Sequence, residues 1–243
     1  MIKITFAAMK IGRFISILWR LWFYTAVLIA ILLLSPFIFI TSQRDRHYPV
    51  FFKGARIWAW LVLHFSGFII RAQWREKPQK NTTYIICANH TSMVDIMTTL
   101  VLFPNCFVFI GKKELTKLPL FGYFYKKTNL LVDRKSLASR RDVQERAAQK
   151  LEQGIGLCIF PEGGVPKSKT ILAPFKNGAF ALAAEKQIPI IPVTYLNHKK
   201  RFPFSWGKGQ PGVLRAVIHP FLYPVENSRL EVERLKKACF QTI

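Results

Sequence analysis

The sequence predicts an α/β fold: a mixed, largely parallel sheet flanked by helices, preceded by an N-terminal apolar helical segment. Three observations carry that prediction. Short apolar runs with strand character recur between residues 84 and 219. Helical patterns fall among them, at Met93–Phe103, Ser136–Gln153, Asn177–Lys186 and Ser228–Phe240. Ahead of both, Leu21 to Thr41 contains no charged residue. Strands alternating with helices imply a sheet built by crossover connections, and 243 residues leave room for one such domain plus an appendage.

The elements follow in chain order. As a helix, Leu21–Thr41 would be about 31 Å long, enough to cross a hydrocarbon core, with a kink expected at Pro36. No small-x-small cleavage site follows it, which argues against a signal peptide. A second apolar stretch, Ile57 to Ile70, is too short to span and reads as interfacial or re-entrant. Lys3, Lys10, Arg13 and Arg20 precede the long run, and Arg44, Arg46, Lys53 and Arg56 follow it. This balance gives no inside-outside preference and favours a hairpin dipping into one leaflet over a true span. Residues 1–75 are therefore assigned to a membrane anchor and 76–243 to the α/β domain. Strands are expected at Tyr84–Ala88, Phe107–Ile110, Asn129–Val132, Gly156–Phe160, Pro189–Leu196 and Val213–His219, and a surface loop over Asn197–Gly212.

Composition narrows the partners. Half of the chain is apolar (51%), mean hydropathy is +0.18, the formal charge is +23 and the isoelectric point is about 10.3. Such a charge seeks an anionic partner, a nucleic acid or an acidic membrane face. The apolar N-terminus selects the membrane, and no nucleic acid is expected. Cys87, Cys106, Cys158 and Cys239 have no metal-like spacing and lie mostly in apolar runs, as buried thiols do. No metal site and no bound cofactor are expected.

The most informative segment is Asn89-His90-Thr91-Ser92-Met93-Val94-Asp95, directly after the first of these strands. Ser92 and Asp95 have capping-box spacing, so a helix is expected to begin at Ser92. His90 then sits at the lip of a strand-to-helix turn, with the Asp95 carboxylate near enough to orient its imidazole, the arrangement of a general base working near neutral pH. Helix starts of this kind are common, so the segment gains weight only from its context. Three further clusters fall at strand ends: Gly111-Lys112-Lys113-Glu114-Leu115, Val132-Asp133-Arg134 and Phe160-Pro161-Glu162-Gly163-Gly164. In open α/β sheets such points face one crevice. Lys112, Lys113 and Arg134 could bind an anion there, Arg bidentately. Glu162 could accept hydrogen bonds from substrate hydroxyls, and Gly163 and Gly164 would let backbone N–H groups approach closely.

With these blocks in order, the chain resembles the membrane-bound glycerolipid acyltransferases typified by bacterial 1-acyl-glycerol-3-phosphate acyltransferase. The Asn-His-x-Ser-x-x-Asp block is matched by Asn89, His90, Ser92 and Asp95. Lys112, Glu114 and Leu115, then Asp133 and Arg134, match the next two. Phe160 to Gly163 match Phe-Pro-Glu-Gly, Phe175, Lys176, Gly178 and Ala179 match Phe-Lys-x-Gly-Ala, and Ile191-Pro192-Val193 match the last. One departure stands out. The family continues Glu-Gly with Thr-Arg-Ser, where this chain has Gly164-Val165-Pro166; Lys167 or Lys169 would have to replace the arginine.

The resemblance implies transfer of a fatty acyl group from a thioester of coenzyme A or acyl carrier protein, as co-substrate, to the hydroxyl of a lysophospholipid. Lysophosphatidic acid is the first expectation, with His90 as base and Asp95 orienting it. An acceptor carrying an amine head group and glycerol 3-phosphate itself remain open, as does, from another class, a non-enzymatic membrane-tethered binder of anionic lipid or nucleic acid. Expected partners are anionic membrane lipids and the acyl carrier. The expected location is the bacterial inner membrane, with the α/β domain on the cytoplasmic side.

Overall fold

The computed structural model describes the backbone of residues 2–117, 121–166 and 170–243. Two helices come first, α1 (Ile2–Thr41) and α2 (Tyr48–Phe65). The strands are β1 (Phe68–Trp74), β2 (Ile85–Ala88), β3 (Phe107–Lys112), β4 (Leu130–Val132), β5 (Gly156–Ile159), β6 (Ile190–Tyr195) and β7 (Gly212–Ile218). Among them lie α3 (Val94–Leu102), α4 (Phe121–Thr128), α5 (Leu137–Glu152), α6 (Gly178–Lys186), α7 (His198–Arg201) and α8 (Arg229–Thr242). The seven strands form one sheet in the order β1-β7-β6-β2-β5-β3-β4. Every pairing is parallel except β6 with β7. The expected mixed, largely parallel sheet flanked by helices is the one observed.

Period-two alternation divides the core between the two faces of the sheet. Ile86, Ala88, Ile191 and Val193 pack with Phe23, Phe52 and Met97 from α1, α2 and α3. Ile85, Cys87, Leu157 and Ile190 pack with Val143, Ala183 and Leu235 from α5, α6 and α8. All four residues of β2 are buried, as a central parallel strand covered on both faces requires. The four cysteines are free, and Cys87 lies in the core beside Cys239.

The N-terminal helices form an antiparallel pair laid on the domain. Trp22 Nε1 donates to the Phe65 carbonyl at 2.7 Å and Trp19 Nε1 to that of Ser66 at 2.9 Å. Farther along, the Phe37 ring occupies the place where a Cβ on Gly54 would stand. The first part of α1 is tied to the 203–209 loop: Ser16 Oγ donates to the Gly209 carbonyl, and Arg20 donates to those of Pro203 and Lys208. Just past its other end, Gln43 Nε2 donates to Tyr123 Oη at 3.1 Å. The helix continues through Pro36. From Lys10 to Thr41 it is long and apolar enough to cross a membrane by length and composition. Its outer side stays apolar and open, with Leu33 71% and Ile40 66% exposed.

The stretch Ile57–Ile70 is not one interfacial segment but two elements. Ser66-Gly67 ends α2, with Gly67 in the left-handed region at φ 77°. Phe68 then opens β1, which pairs with β7 from Phe68↔Gly212 to Trp74↔Ile218. The sheet therefore begins inside the segment assigned to the anchor. Two short helices, α4 and α7, lie where none was expected.

Candidate active site

Strands β6, β2, β5, β3 and β4 run parallel, so their carboxyl ends share one edge of the sheet. His90 follows β2 by two residues on that edge. Asp95, in the first turn of α3, is fully buried, and its carboxylate organises the loop. Oδ2 accepts from the backbone N–H groups of Thr91 (2.6 Å) and Ser92 (2.7 Å) and meets His90 Nδ1 at 3.0 Å. Burial alone would raise the Asp95 pKa. The hydrogen bonds from His198 and His90 outweigh it and hold the group below its usual value.

An ionised carboxylate only accepts hydrogen bonds, so His90 Nδ1 carries the proton and Nε2 offers its lone pair. Among the described residues Nε2 has no partner and is not sealed from solvent. The imidazole stacks on Phe160, ring centroids 4.1 Å apart and planes 17° from parallel. Asn89 fixes the loop from behind: its Oδ1 accepts from Tyr195 N at 2.7 Å and its Nδ2 donates to Tyr195 O. His90 thereby has one nitrogen held and one presented.

The helix begins later than the spacing predicts, with Met93 at the cap position. The Ser92 N–H still donates to Asp95 Oδ2 at 2.7 Å and Ser92 Oγ accepts from Val94 N at 3.4 Å, while the hydroxyl proton goes to the Phe202 carbonyl at 2.5 Å.

The Phe160–Gly164 turn follows β5, the neighbour of β2. Glu162 Oε1 accepts from His90 N at 2.7 Å and Oε2 from Ala173 N at 2.8 Å. Each oxygen accepts from one backbone N–H, so this carboxylate positions the His90 loop. Burial raises its pKa, against the two backbone bonds that lower it. Gly163 lies at φ 77° and Gly164 at φ 155°, conformations a side chain disfavours. A Cβ on Gly164 would stand 3.0 Å from a guanidinium nitrogen of Arg134, and one on Gly163 would stand 2.6 Å from Lys176 Nζ. Arg134 and Lys176 thus flank the glycine turn, and neither makes a side-chain hydrogen bond or ion pair among the described residues. Arg134 is placed where the sequence puts it. Lys176, matched in the Phe-Lys-x-Gly-Ala block but given no role there, is a second cation beside the turn.

Lys112 and Lys113 lie on the same edge at the end of β3, both exposed, with Lys112 Nζ 3.6 Å from the Glu114 carboxylate. Tyr125 closes over Gly111, where any Cβ would overlap its hydroxyl, and burial pushes the phenol up to about 12. Lys167 and Lys169, the suggested replacements for an arginine, lie outside the described residues. No group of three or more His, Cys, Asp or Glu side chains among the described residues converges as metal ligands would.

The model of the Acyltransferase family matches residues 69–196, from β1 through β6, and so covers every strand end in this edge of the sheet. The chain belongs to the Acyltransferase family. Three of its relatives carry names that agree with one another. A chloroplastic 1-acyl-sn-glycerol-3-phosphate acyltransferase of Brassica napus is 28% identical over 82% of this chain and 58% of its own length. The human 1-acyl-sn-glycerol-3-phosphate acyltransferase beta is 30% identical over 68% and 63%. A Helicobacter pylori 1-acyl-sn-glycerol-3-phosphate acyltransferase is 34% identical over 49% and 50%. The chain spans about half to three-fifths of the length of the first of these curated relatives. The crystal structure of a 1-acyl-sn-glycerophosphate acyltransferase from Thermotoga maritima superposes with a TM-score of 0.78, covering 95% of both chains at 22% identity, and shares the fold.

Proposed function

We propose that this acyltransferase-family protein moves a fatty acyl group from a thioester to the free hydroxyl of lysophosphatidic acid, giving phosphatidic acid. The observation that carries the reading is His90 itself, with Nδ1 held on buried Asp95 and Nε2 presented at the strand edge. Nε2 takes the proton of the acceptor hydroxyl as that oxygen attacks the thioester carbonyl carbon. Asp95 stabilises the imidazolium and stays ionised. The tetrahedral intermediate collapses, the carbon–sulfur bond breaks, and the departing thiolate takes the proton back from Nε2. No acyl-enzyme is required, and a positioned base of this kind contributes about 10²–10⁴-fold.

Arg134 and Lys176, unpaired on either side of the Gly163-Gly164 turn, supply the positive charge a phosphomonoester head group needs. The names carried by the curated relatives support the same acceptor. The donor is a thioester of coenzyme A or of acyl carrier protein. The apolar outer side of α1 and α2 serves as the anchor, seating the basic domain against anionic lipid on the cytoplasmic face of the inner membrane.

The test is acyl transfer by the purified full chain in detergent across lysophosphatidic acid, a lyso-aminolipid and glycerol 3-phosphate, each with both donors. Lysophosphatidic acid should be the best acceptor, and His90→Ala should be inactive with all. Preference for an acceptor without phosphate would overturn the head-group assignment, and an active His90→Ala would overturn the mechanism.

A further inference from the structure

Asp95 serves a second histidine. His198, at the start of α7, places Nδ1 2.7 Å from Asp95 Oδ1, a shorter contact than the 3.0 Å between His90 and Oδ2. The residue is fully buried, its ring stacks on Tyr195 with centroids 4.4 Å apart, and its Nε2 is buried with no partner among the described residues. The segment carrying it is anchored on both sides. Asn197 Nδ2 donates to the Val213 carbonyl and Asn197 Oδ1 accepts from Arg215 N, while the Phe202 carbonyl receives the Ser92 hydroxyl. The His90 loop and α7 are therefore bound together twice, through Asp95 with His198 and through Ser92 with Phe202.

We infer that His198 is a positioning residue for the acyl transfer: it holds the Asp95 carboxylate in the rotamer that faces His90. The inference rests on the reading of His90 as the base. The ionised Asp95 carboxylate only accepts hydrogen bonds, so His198 Nδ1 donates to Oδ1 and acts as a fixed donor. With Thr91 N and Ser92 N on Oδ2 and His198 Nδ1 on Oδ1, the carboxylate is held from both sides and kept from turning away from His90.

The other ionisable groups packed around the three residues do not take this part. Cys158 on β5 and Tyr195 on β6 are raised by burial and stay uncharged. Arg20 of α1 lies over Phe202 and spends its donors on the Pro203 and Lys208 carbonyls. Glu162 bonds the His90 backbone and has no hydrogen bond to His198.

The experiment compares kcat and KM for wild type, His198→Asn and His198→Phe. Asn keeps an N–H close to the position of Nδ1, and Phe keeps the ring on Tyr195 without a donor. His198→Phe should lower kcat on the order of 10²-fold through a misplaced Asp95. It should leave the acceptor KM unchanged, and His198→Asn should restore most of the lost rate. A wild-type kcat in His198→Phe overturns the inference, and so does a kcat reduced equally in both variants.

Folding failure of the variants does not protect the idea, because ¹⁵N-histidine spectra of the wild-type protein test it directly. His198 should appear as the Nδ1–H tautomer, with that proton bonded to Asp95, and a His198 protonated on Nε2 alone sinks the inference. Failure of the underlying reading looks different, since His90→Ala would then be active whatever His198 does.

Discussion

Lys176 Nζ lies where a Cβ on Gly163 would come within 2.6 Å of it, and Gly163 holds φ at 77°. The two residues are matched. The bare backbone turn gives the ammonium its place, and the Lys176 backbone N–H donates to Pro161 O at 2.9 Å, fixing the strand of chain that brings it. Gly163→Ala should therefore push the lysine out and strain the turn, at a cost of about 1–2 kcal/mol. The acceptor KM should rise while the donor KM does not. Thermal unfolding and two-substrate kinetics read the two effects separately, and an unchanged acceptor KM would show that Lys176 does not face the acceptor.

His90→Ala should abolish acyl transfer, by at least the roughly 10²–10⁴-fold of a lost base, with folding and membrane association intact. The ring is partly exposed, and its removal leaves the Asp95 bonds to Thr91 and Ser92 in place. Asp95→Asn should be as severe, because an amide turns a donor toward at least one of the N–H groups the carboxylate now accepts. Steady-state rates beside circular dichroism decide. Near wild-type turnover in either variant would remove the pair from the mechanism.

Arg134→Ala should weaken use of a phosphate-bearing acceptor far more than use of the thioester donor. Arg134→Lys should recover only part of it, since an ammonium cannot form the bidentate fork. The comparison is between the Michaelis constants of the two substrates. An acceptor constant unmoved in both variants would make Arg134 a surface charge.

Asp95 makes folding stability depend on acid. Its pKa is depressed in the folded state, so the unfolded chain binds the proton more readily and stability falls as pH falls. The contribution should be complete above the unfolded-state pKa of about 3.9 and should disappear as pH drops through the lower folded value. Urea midpoints measured between pH 5 and pH 2 should decline more steeply for the wild-type protein than for Asp95→Asn. Equal slopes would mean that the carboxylate is not ionised in its buried site.

α1 touches the α/β domain through Ser16 in its first half and through Gln43 just past its end. The ends should lie on one side of the membrane. A single cysteine placed at Lys3 in a cysteine-free background should resist a membrane-impermeant thiol reagent in intact cells and react after lysis. Labelling of intact cells would instead show a helix that spans.

The sheet was readable because its strands are short apolar runs closed by Gly, Pro or charged residues, and the expected runs fall within one or two residues of β2 to β7. β1 was hidden by continuity: Phe68-Ile69-Ile70 prolongs the apolar end of α2, and only Ser66-Gly67 marks the break. The His90–Asp95 pair was readable because only four residues lie between its members. His198 was not. It lies 103 residues from Asp95, in front of Lys199-Lys200-Arg201, where charge reads as a solvated loop. An Asn-His pair at 197–198 echoing 89–90 was the one local hint. The Phe202 acceptor of the Ser92 hydroxyl and the backbone donors to Glu162 were hidden for a related reason, since only the tertiary fold supplies them.

The pairing of β1 with β7 also sets an order in time. Residues 68–74 leave the ribosome early, but their only neighbour in the sheet is residues 212–218. For most of synthesis the nascent chain carries an open hydrogen-bonding edge beside an apolar helix pair, the condition in which unpaired strands find wrong partners. Early lodging of α1 and α2 in lipid would shelter that edge until the last strand arrives. The same pairing makes trimming hazardous. A soluble version cut at residue 75 loses β1 and leaves β7 as a bare edge, with Leu214, Ala216 and Ile218 stripped of cover. A cut made to improve solubility there would favour aggregation instead.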